Sequence, residues 1–224
     1  MDIRLPFDKD GCKIAGVFAV IGICLGNFST NMGWLGFLIT IGCLAFFRDP
    51  ERVHPSKDSI VVSPADGIIL KISECIPPEE LGLFGEWQKI SIFMSVFNVH
   101  VNRAPVSGVV ERMFYVPGKF FNVTLDKASE YNERRATFMR AADGNQIAFV
   151  QIAGLLARRI RCDISEGQEL EIGQRIGIIR FGSRVDIYLP NDATILLEEG
   201  QITVAGETVL ANLKSREVKN VEER

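Results

Sequence analysis

The stretch Ile14 to Phe47 contains no charged residue, and this alone divides the chain into two parts with different solvents. Two apolar runs, Ile14 to Phe28 and Gly33 to Phe47, stand on either side of Ser29-Thr30-Asn31-Met32, which reads as a turn. Each run would make a helix of about 22 Å, short of the roughly 30 Å hydrocarbon core of a bilayer. Glycines at 16, 22, 26, 33, 36 and 42 remove the side chains that would hold two helices apart. The expectation is a tight, membrane-associated helical hairpin over residues 1–47. A buried hairpin in a soluble core is the alternative, although such helices usually keep a polar face.

Arg4, Lys9 and Lys13 precede the apolar block, Arg48, Arg52 and Lys57 follow it, and the central turn carries no basic residue. The positive-inside rule puts both flanks on the cytoplasmic side of the membrane. Acidic residues ahead of the block and the exit Phe47-Arg48-Asp49 argue against a cleaved signal peptide. A net charge of −3 offers no basic surface for nucleic acid. Cys12, Cys24, Cys43, Cys75 and Cys162 form no C-x-x-C pair and read as reduced thiols. His54 and His100 lie far apart without ligand spacing, so no metal is expected.

From Ser59 onward short β-like runs alternate with glycines: Gly67 to Ile72, Lys89 to Phe97, Gly108 to Val116, Gln146 to Ala153, Gln174 to Phe181, Arg184 to Leu189 and Ala193 to Leu197. This spacing predicts a mainly β domain over 48–213, an antiparallel barrel or sandwich, followed by a charged tail, 214–224. Two segments look alike, Ser63-Pro64-Ala65-Asp66-Gly67 and Arg103-Ala104-Pro105-Val106-Ser107-Gly108. Glu166 to Gly173 and Ala205 to Leu210 share a spaced-glycine rhythm similar to lipoyl- and biotinyl-type β folds. Phe120 to Arg135 breaks the alternation and reads as a loop with a short helix.

Within the β part, Gly182-Ser183 precedes an apolar strand. A serine hydroxyl there has the means to attack the preceding carbonyl, and glycine leaves that carbonyl open while tolerating strain. Gly-Ser is equally a common turn pair. The wider context separates the two readings. Phe47-Arg48-Asp49-Pro50-Glu51-Arg52, Val62-Ser63-Pro64-Ala65-Asp66-Gly67, Phe97-Asn98-Val99-His100-Val101-Asn102-Arg103-Ala104-Pro105, Pro117-Gly118-Lys119-Phe120 and Asn132-Glu133-Arg134 stand in the order seen in phosphatidylserine decarboxylases. The chain resembles the short, membrane-anchored bacterial form of that family, from about Ala45 to Pro190 and more weakly to Leu213.

The resemblance implies a proenzyme that cuts itself between Gly182 and Ser183. Attack by the hydroxyl gives an ester, β-elimination breaks the chain, and hydration with loss of ammonia leaves a pyruvoyl group at position 183. No metal or pyridoxal phosphate would then be needed. The substrate amine would form a Schiff base with that group, and loss of carbon dioxide would give phosphatidylethanolamine. His100 and Asp66 are the candidates for base and orienting group. The place of a second histidine found in longer members is held by Arg103, so either His100 serves both processing and decarboxylation or Arg103 takes an electrostatic share. Lys119 and Arg134 are candidates for the substrate phosphate, and Phe93, Met94, Phe97, Phe120 and Phe121 either wall the site or pack as ordinary core. The implied assembly is a heterodimer of the two cleavage chains, compatible with a homodimer of that unit, on the cytoplasmic face of a bacterial inner membrane.

Other readings stay open on sequence alone. A related serine phospholipid such as archaetidylserine would call for similar residues. Asp126-Lys127-Ala128 matches the triplet on which lipoyl carriers mount their cofactor. A membrane serine hydrolase would use Ser183, His100 and Asp66 without self-cleavage, but Val185 stands where a G-x-S-x-G elbow needs its second glycine.

Overall fold

The computed structural model describes residues 6–55, 57, 59–77, 81–118, 131–154, 159–180 and 183–214. Two helices come first, α1 (Lys9–Gly26) and α2 (Thr30–Phe46). Helix α1 begins before the apolar block, because the Asp8 carboxylate accepts the Asp10 N–H at 3.0 Å and caps it. The break falls at residues 27–29, ahead of the turn expected from polarity, with Ser29 extended at φ −157° as the cap of α2. The helices run antiparallel and touch through glycine. A Cβ on Gly22 would lie 3.0 Å from Gly36 Cα, and Gly26 meets Gly33 one turn further on. Their outward faces leave Val17, Val20, Ile23, Trp34, Leu35 and Leu38 exposed. Among the described residues no helix is long and apolar enough to cross a membrane.

The rest is β structure: β1 (Ile60–Val62), β2 (Gly67–Cys75), β3 (Trp87–Met94), β4 (Val101–Arg103), β5 (Gly108–Val116), β6 (Arg134–Ala141), β7 (Gln146–Ala153), β8 (Ile160–Cys162), β9 (Glu169–Leu170), β10 (Arg175–Ile179), β11 (Ser183–Pro190), β12 (Thr194–Ile195), β13 (Ile202–Thr203) and β14 (Val209–Asn212). An eight-stranded sheet has the order β13-β2-β3-β11-β7-β6-β5-β9, and two three-stranded sheets run β4-β10-β8 and β1-β14-β12. The described pairings are antiparallel. Strand β6 was not expected from Arg134-Arg135-Ala136-Thr137-Phe138-Met139-Arg140-Ala141, a composition rich in helix formers. Its neighbours β5 and β7 supply ladders on both sides, and that tertiary pairing overrides the local preference.

The look-alike segments form an internal repeat. In one copy Ser63 N–H donates to Thr208 O and Gly206 N–H to Ser63 O, both at 2.8 Å. In the other, Ala104 N–H donates to Gln174 O at 2.7 Å and Gly173 N–H to Ala104 O at 2.9 Å. Gly206 and Gly173 occupy the same left-handed backbone, φ +77° and +75°, a conformation that favours glycine. Asp66 and Ser107 hold equivalent places too: Asp66 accepts the Ala205 N–H at 2.8 Å and Ser107 the Ile172 N–H at 3.0 Å.

Strand β11 lies at the centre, paired with β3 and β7, and every one of its residues is buried. Val185, Ile187 and Leu189 enter the main core with Ile90, Ile92 and Phe149. On the other face Tyr188 joins Trp87, Phe138 and Ile152. A third cluster, Phe46, Phe47, Val99, Val101 and Ile178, joins the end of α2 to β4 and β10.

Candidate active site

Ser183 opens β11 opposite Met94 and Ala153 and is fully buried. Its hydroxyl donates to the Met94 thioether, Oγ to Sδ 3.2 Å. Sulfur is a weak acceptor, so the contact places the hydroxyl without engaging it strongly. The same sulfur takes a long contact of 3.7 Å from Asn102 Nδ2, and Asn102 Oδ1 accepts from Gln151 Nε2 at 2.8 Å. Sequence reasoning left Met94 open between wall and core and missed Asn102 and Gln151. No local pattern marks them, because β3, β4 and β7 bring them together only in the fold.

His100 lies just before β4 and is fully buried. Its Nδ1 is 2.9 Å from Asn98 O. A carbonyl only accepts, so Nδ1 carries the proton and Nε2 keeps its lone pair. That Nε2 is buried without a hydrogen-bond partner among the described residues, an arrangement that structures rarely leave without a purpose. The Phe46 ring covers the imidazole, centroids 4.2 Å apart at 36°. Burial pushes the His100 pKa down to about 4, partly opposed by the Asn98 carbonyl and assisted by the Arg48 charge. The ring is therefore neutral at pH 7 with a bare base nitrogen. His100 O accepts from Ile179 N–H at 3.4 Å, which sets the histidine beside the chain that leads into Ser183. Gly182 itself lies outside the described residues, as do Lys119, Phe120, Phe121 and Lys127.

The expected Asp66 to His100 pairing is not what orients the ring; the Asn98 carbonyl does that. Asp66 Oδ2 is instead paired with Arg52 Nη2 at 2.9 Å, and Oδ1 takes the Ala205 N–H. Asp66 immediately precedes β2, which is separated from β11 only by β3. Arg103 is buried and fully occupied by the scaffold: Nη1 donates to Gly173 O at 2.9 Å, Nη2 to Pro50 O at 2.8 Å and toward Asp49 Oδ1 at 3.4 Å. Arg134 shares a row with Ile152 and Arg184, on the face of the sheet opposite Ser183. On that face Arg184 and Asp186 form a buried bidentate pair at 2.7 and 2.8 Å. Phe93 packs against the core of that same face, and Phe97 is exposed, so of the described aromatic wall candidates neither adjoins Ser183. His54 is exposed, beside Gly173.

The segment Arg48 to Arg52 fastens these parts together. Arg48 donates to Ala45 O at 2.7 Å and Phe97 O at 2.6 Å. Asp49 holds Arg175 at 2.7 Å as well as Arg103, and Arg52 holds Asp66. At the same end of the helix pair, where Phe7 bridges Arg48, Asp10 binds Arg161 at 2.7 Å and Arg180 at 2.8 Å, three residues before Ser183.

A fully buried serine thus heads the central strand, and a buried histidine with a bare base nitrogen lies beside the segment that leads into it, an arrangement of the class that serine chemistry uses. Comparison with known proteins gives the family. The phosphatidylserine decarboxylase model matches residues 39–211. The phosphatidylserine decarboxylase proenzyme of Paramagnetospirillum magneticum is 51% identical over 213 residues, 95% of this chain and 89% of the relative. That of Rickettsia akari is 49% identical over 218 residues, covering 97% and 94%, and that of Ruegeria pomeroyi 51% over 210 residues, covering 93% and 96%. The chain belongs to the phosphatidylserine decarboxylase family.

Proposed function

We propose that this chain is a self-processing carboxy-lyase that converts phosphatidylserine to phosphatidylethanolamine, with a pyruvoyl group made from Ser183. The observation that carries the reading is the state of Ser183: a fully buried hydroxyl at the start of a central strand, held by a thioether and by no stronger acceptor described. Ser183 Oγ attacks the Gly182 carbonyl and gives up its proton to His100 Nε2, which is bare and neutral. The peptide becomes an ester; elimination across Cα and Cβ of residue 183 releases the Gly182 carboxylate, and water then replaces the nitrogen as ammonia. Asn102 fits the resulting carbonyl side of the site, since its amide already borders the Met94 sulfur and Gln151 fixes that amide from behind. The keto group supplies an electron sink for the charge left when carbon dioxide departs.

His100 returns a proton to the carbon that loses carbon dioxide, and Phe46 keeps water from the imidazole. Asp66 orders the processing centre through Arg52, and Arg103 fixes β4 against Asp49 and Pro50. Cleavage leaves two chains held together by the fold, because β11 is hydrogen-bonded on both sides. The exposed apolar faces of α1 and α2, each about 26 Å long, sit in the cytoplasmic leaflet without crossing, which keeps the enzyme at the surface that carries its substrate.

The test is Ser183→Ala. It should remain a single chain and release no carbon dioxide from carboxyl-labelled phosphatidylserine. Undiminished release from that variant would overturn the assignment.

A further inference from the structure

Phe97 is 83% exposed and Val96 39% exposed, on the turn between β3 and β4, and this exposure is built rather than incidental. Ser95 N–H and Oγ both donate to Asn98 Oδ1 at 2.8 Å, and Asn98 N–H donates to Ser95 O at 3.0 Å. A turn closed three times over holds its two apolar side chains outward, where water penalises them. Arg48 then ties this turn to the base of α2, one guanidinium nitrogen on Ala45 O and another on Phe97 O. From there α2 leads away with Ile41, Ile39 and Leu38 exposed, so the turn adjoins an apolar surface far larger than itself. The carbonyl of Asn98, the last residue of the turn, is the one that fixes the His100 ring.

We propose that the Ser95–Asn98 turn is a second membrane-contacting element, in which Phe97 and Val96 enter the lipid interface beside the helix pair and bring the mouth of the His100 site to the headgroups. An aromatic on a rigid turn suits the interfacial region, where an apolar body is buried while the backbone stays wet. Arg48, at the edge of the turn, meets the anionic headgroup layer. The occupant is a lipid surface and not a second copy of the chain, because the turn is continuous with the apolar helix surface through Arg48. The inference rests on the lipid-decarboxylase reading above and deepens it: the turn governs access of bilayer-borne substrate, not the chemistry.

The experiment compares the full-length parent with Phe97→Ser and with Val96→Ser/Phe97→Ser on two substrates. One is long-chain phosphatidylserine in phosphatidylglycerol and phosphatidylcholine vesicles; the other is dihexanoyl phosphatidylserine as a soluble monomer. Turnover of the vesicle substrate should fall roughly tenfold, as expected for one aromatic withdrawn from an apolar phase, with the soluble substrate within about twofold of the parent. In parallel, Phe97→Trp should show emission quenched by lipids brominated near the headgroup, read as the difference from the parent. Equal loss on both substrates would make the turn a support of the site alone, and equal retention would make it idle; either result overturns the proposal. A fall from dimer to monomer in Phe97→Ser with an unchanged substrate ratio would assign the patch to a second copy and also overturn it. If the parent turns over neither substrate, the decarboxylase reading fails separately, and bromolipid quenching still decides whether the turn meets lipid.

Discussion

The ring of Phe46, the last residue of α2, lies 4.2 Å from the ring of His100. The apolar helix pair thus walls the buried imidazole, and in the function proposed here it is also the surface for lipid. Phe46→Ala should cost about 3 kcal/mol of stability through the cavity it leaves and should admit water to the imidazole. In a His54→Gln background, the His100 ring resonances should titrate at higher pH in Phe46→Ala than in the parent. Phe46→Leu should restore most of the stability and the low titration point. An unshifted titration in the alanine variant would deny Phe46 its part in keeping the ring neutral.

Acid sensitivity follows from the same burial. The unfolded chain protonates histidine near pH 6.5, while folded His100 resists until about pH 4, so the unfolded form binds more protons between these values. Stability present above pH 6.5 is therefore lost as pH falls through that window, by about 3 kcal/mol in all. Urea melts of the Ser183→Ala proenzyme against Ser183→Ala/His100→Gln should show this loss only where His100 is present. Parallel pH profiles would remove the buried, proton-free imidazole from the account.

Asp66 separates two roles by substitution. Asp66→Asn keeps an oxygen for the Ala205 N–H but gives up the charge that holds Arg52, so it should fold near parental stability and process slowly. Asp66→Ala loses both contacts and should also lose about 1 kcal/mol or more of stability. Gel bands of the cut and uncut chain over time, beside a thermal melt, measure both effects. Parental cleavage in Asp66→Asn would reduce the residue to a turn support like Ser107.

The two cleavage chains should part only on unfolding. The shorter would contribute β11 to the middle of the large sheet, β13 to its edge, and β12 and β14 to the sheet that contains β1. The fragments should co-elute in native size exclusion and separate in denaturant. Loss of the short fragment under native conditions would contradict the central placement of β11.

What could be read ahead of the structure was local. Gly108–Val116 and Gln146–Ala153 were found to the residue, since apolar and β-branched side chains fill them and glycine or a turn bounds them. The likeness of the segments at Ser63 and Arg103 was legible, whereas the matching of Gly173 to Gly206 appeared only in the fold. By contrast Arg134–Ala141 is a strand only because β5 and β7 lie beside it. The buried chain from Gln151 through Asn102 and Met94 to Ser183 spans four strands distant in sequence, and the role of Arg48 to Arg52 lies in partners as remote as Asp66, Arg103 and Arg175. Asp66, His100 and Arg103 could be singled out as candidates from the sequence, but not their partners, because hydrogen bonds across the fold leave no periodicity to read.

The intact mass of the purified protein under denaturing conditions tests the central claim most directly. Two chains are predicted, the smaller starting at position 183 and lighter than a serine-started fragment by one ammonia. A single chain with the mass of the unmodified sequence would contradict self-processing at Ser183, and with it the pyruvoyl chemistry.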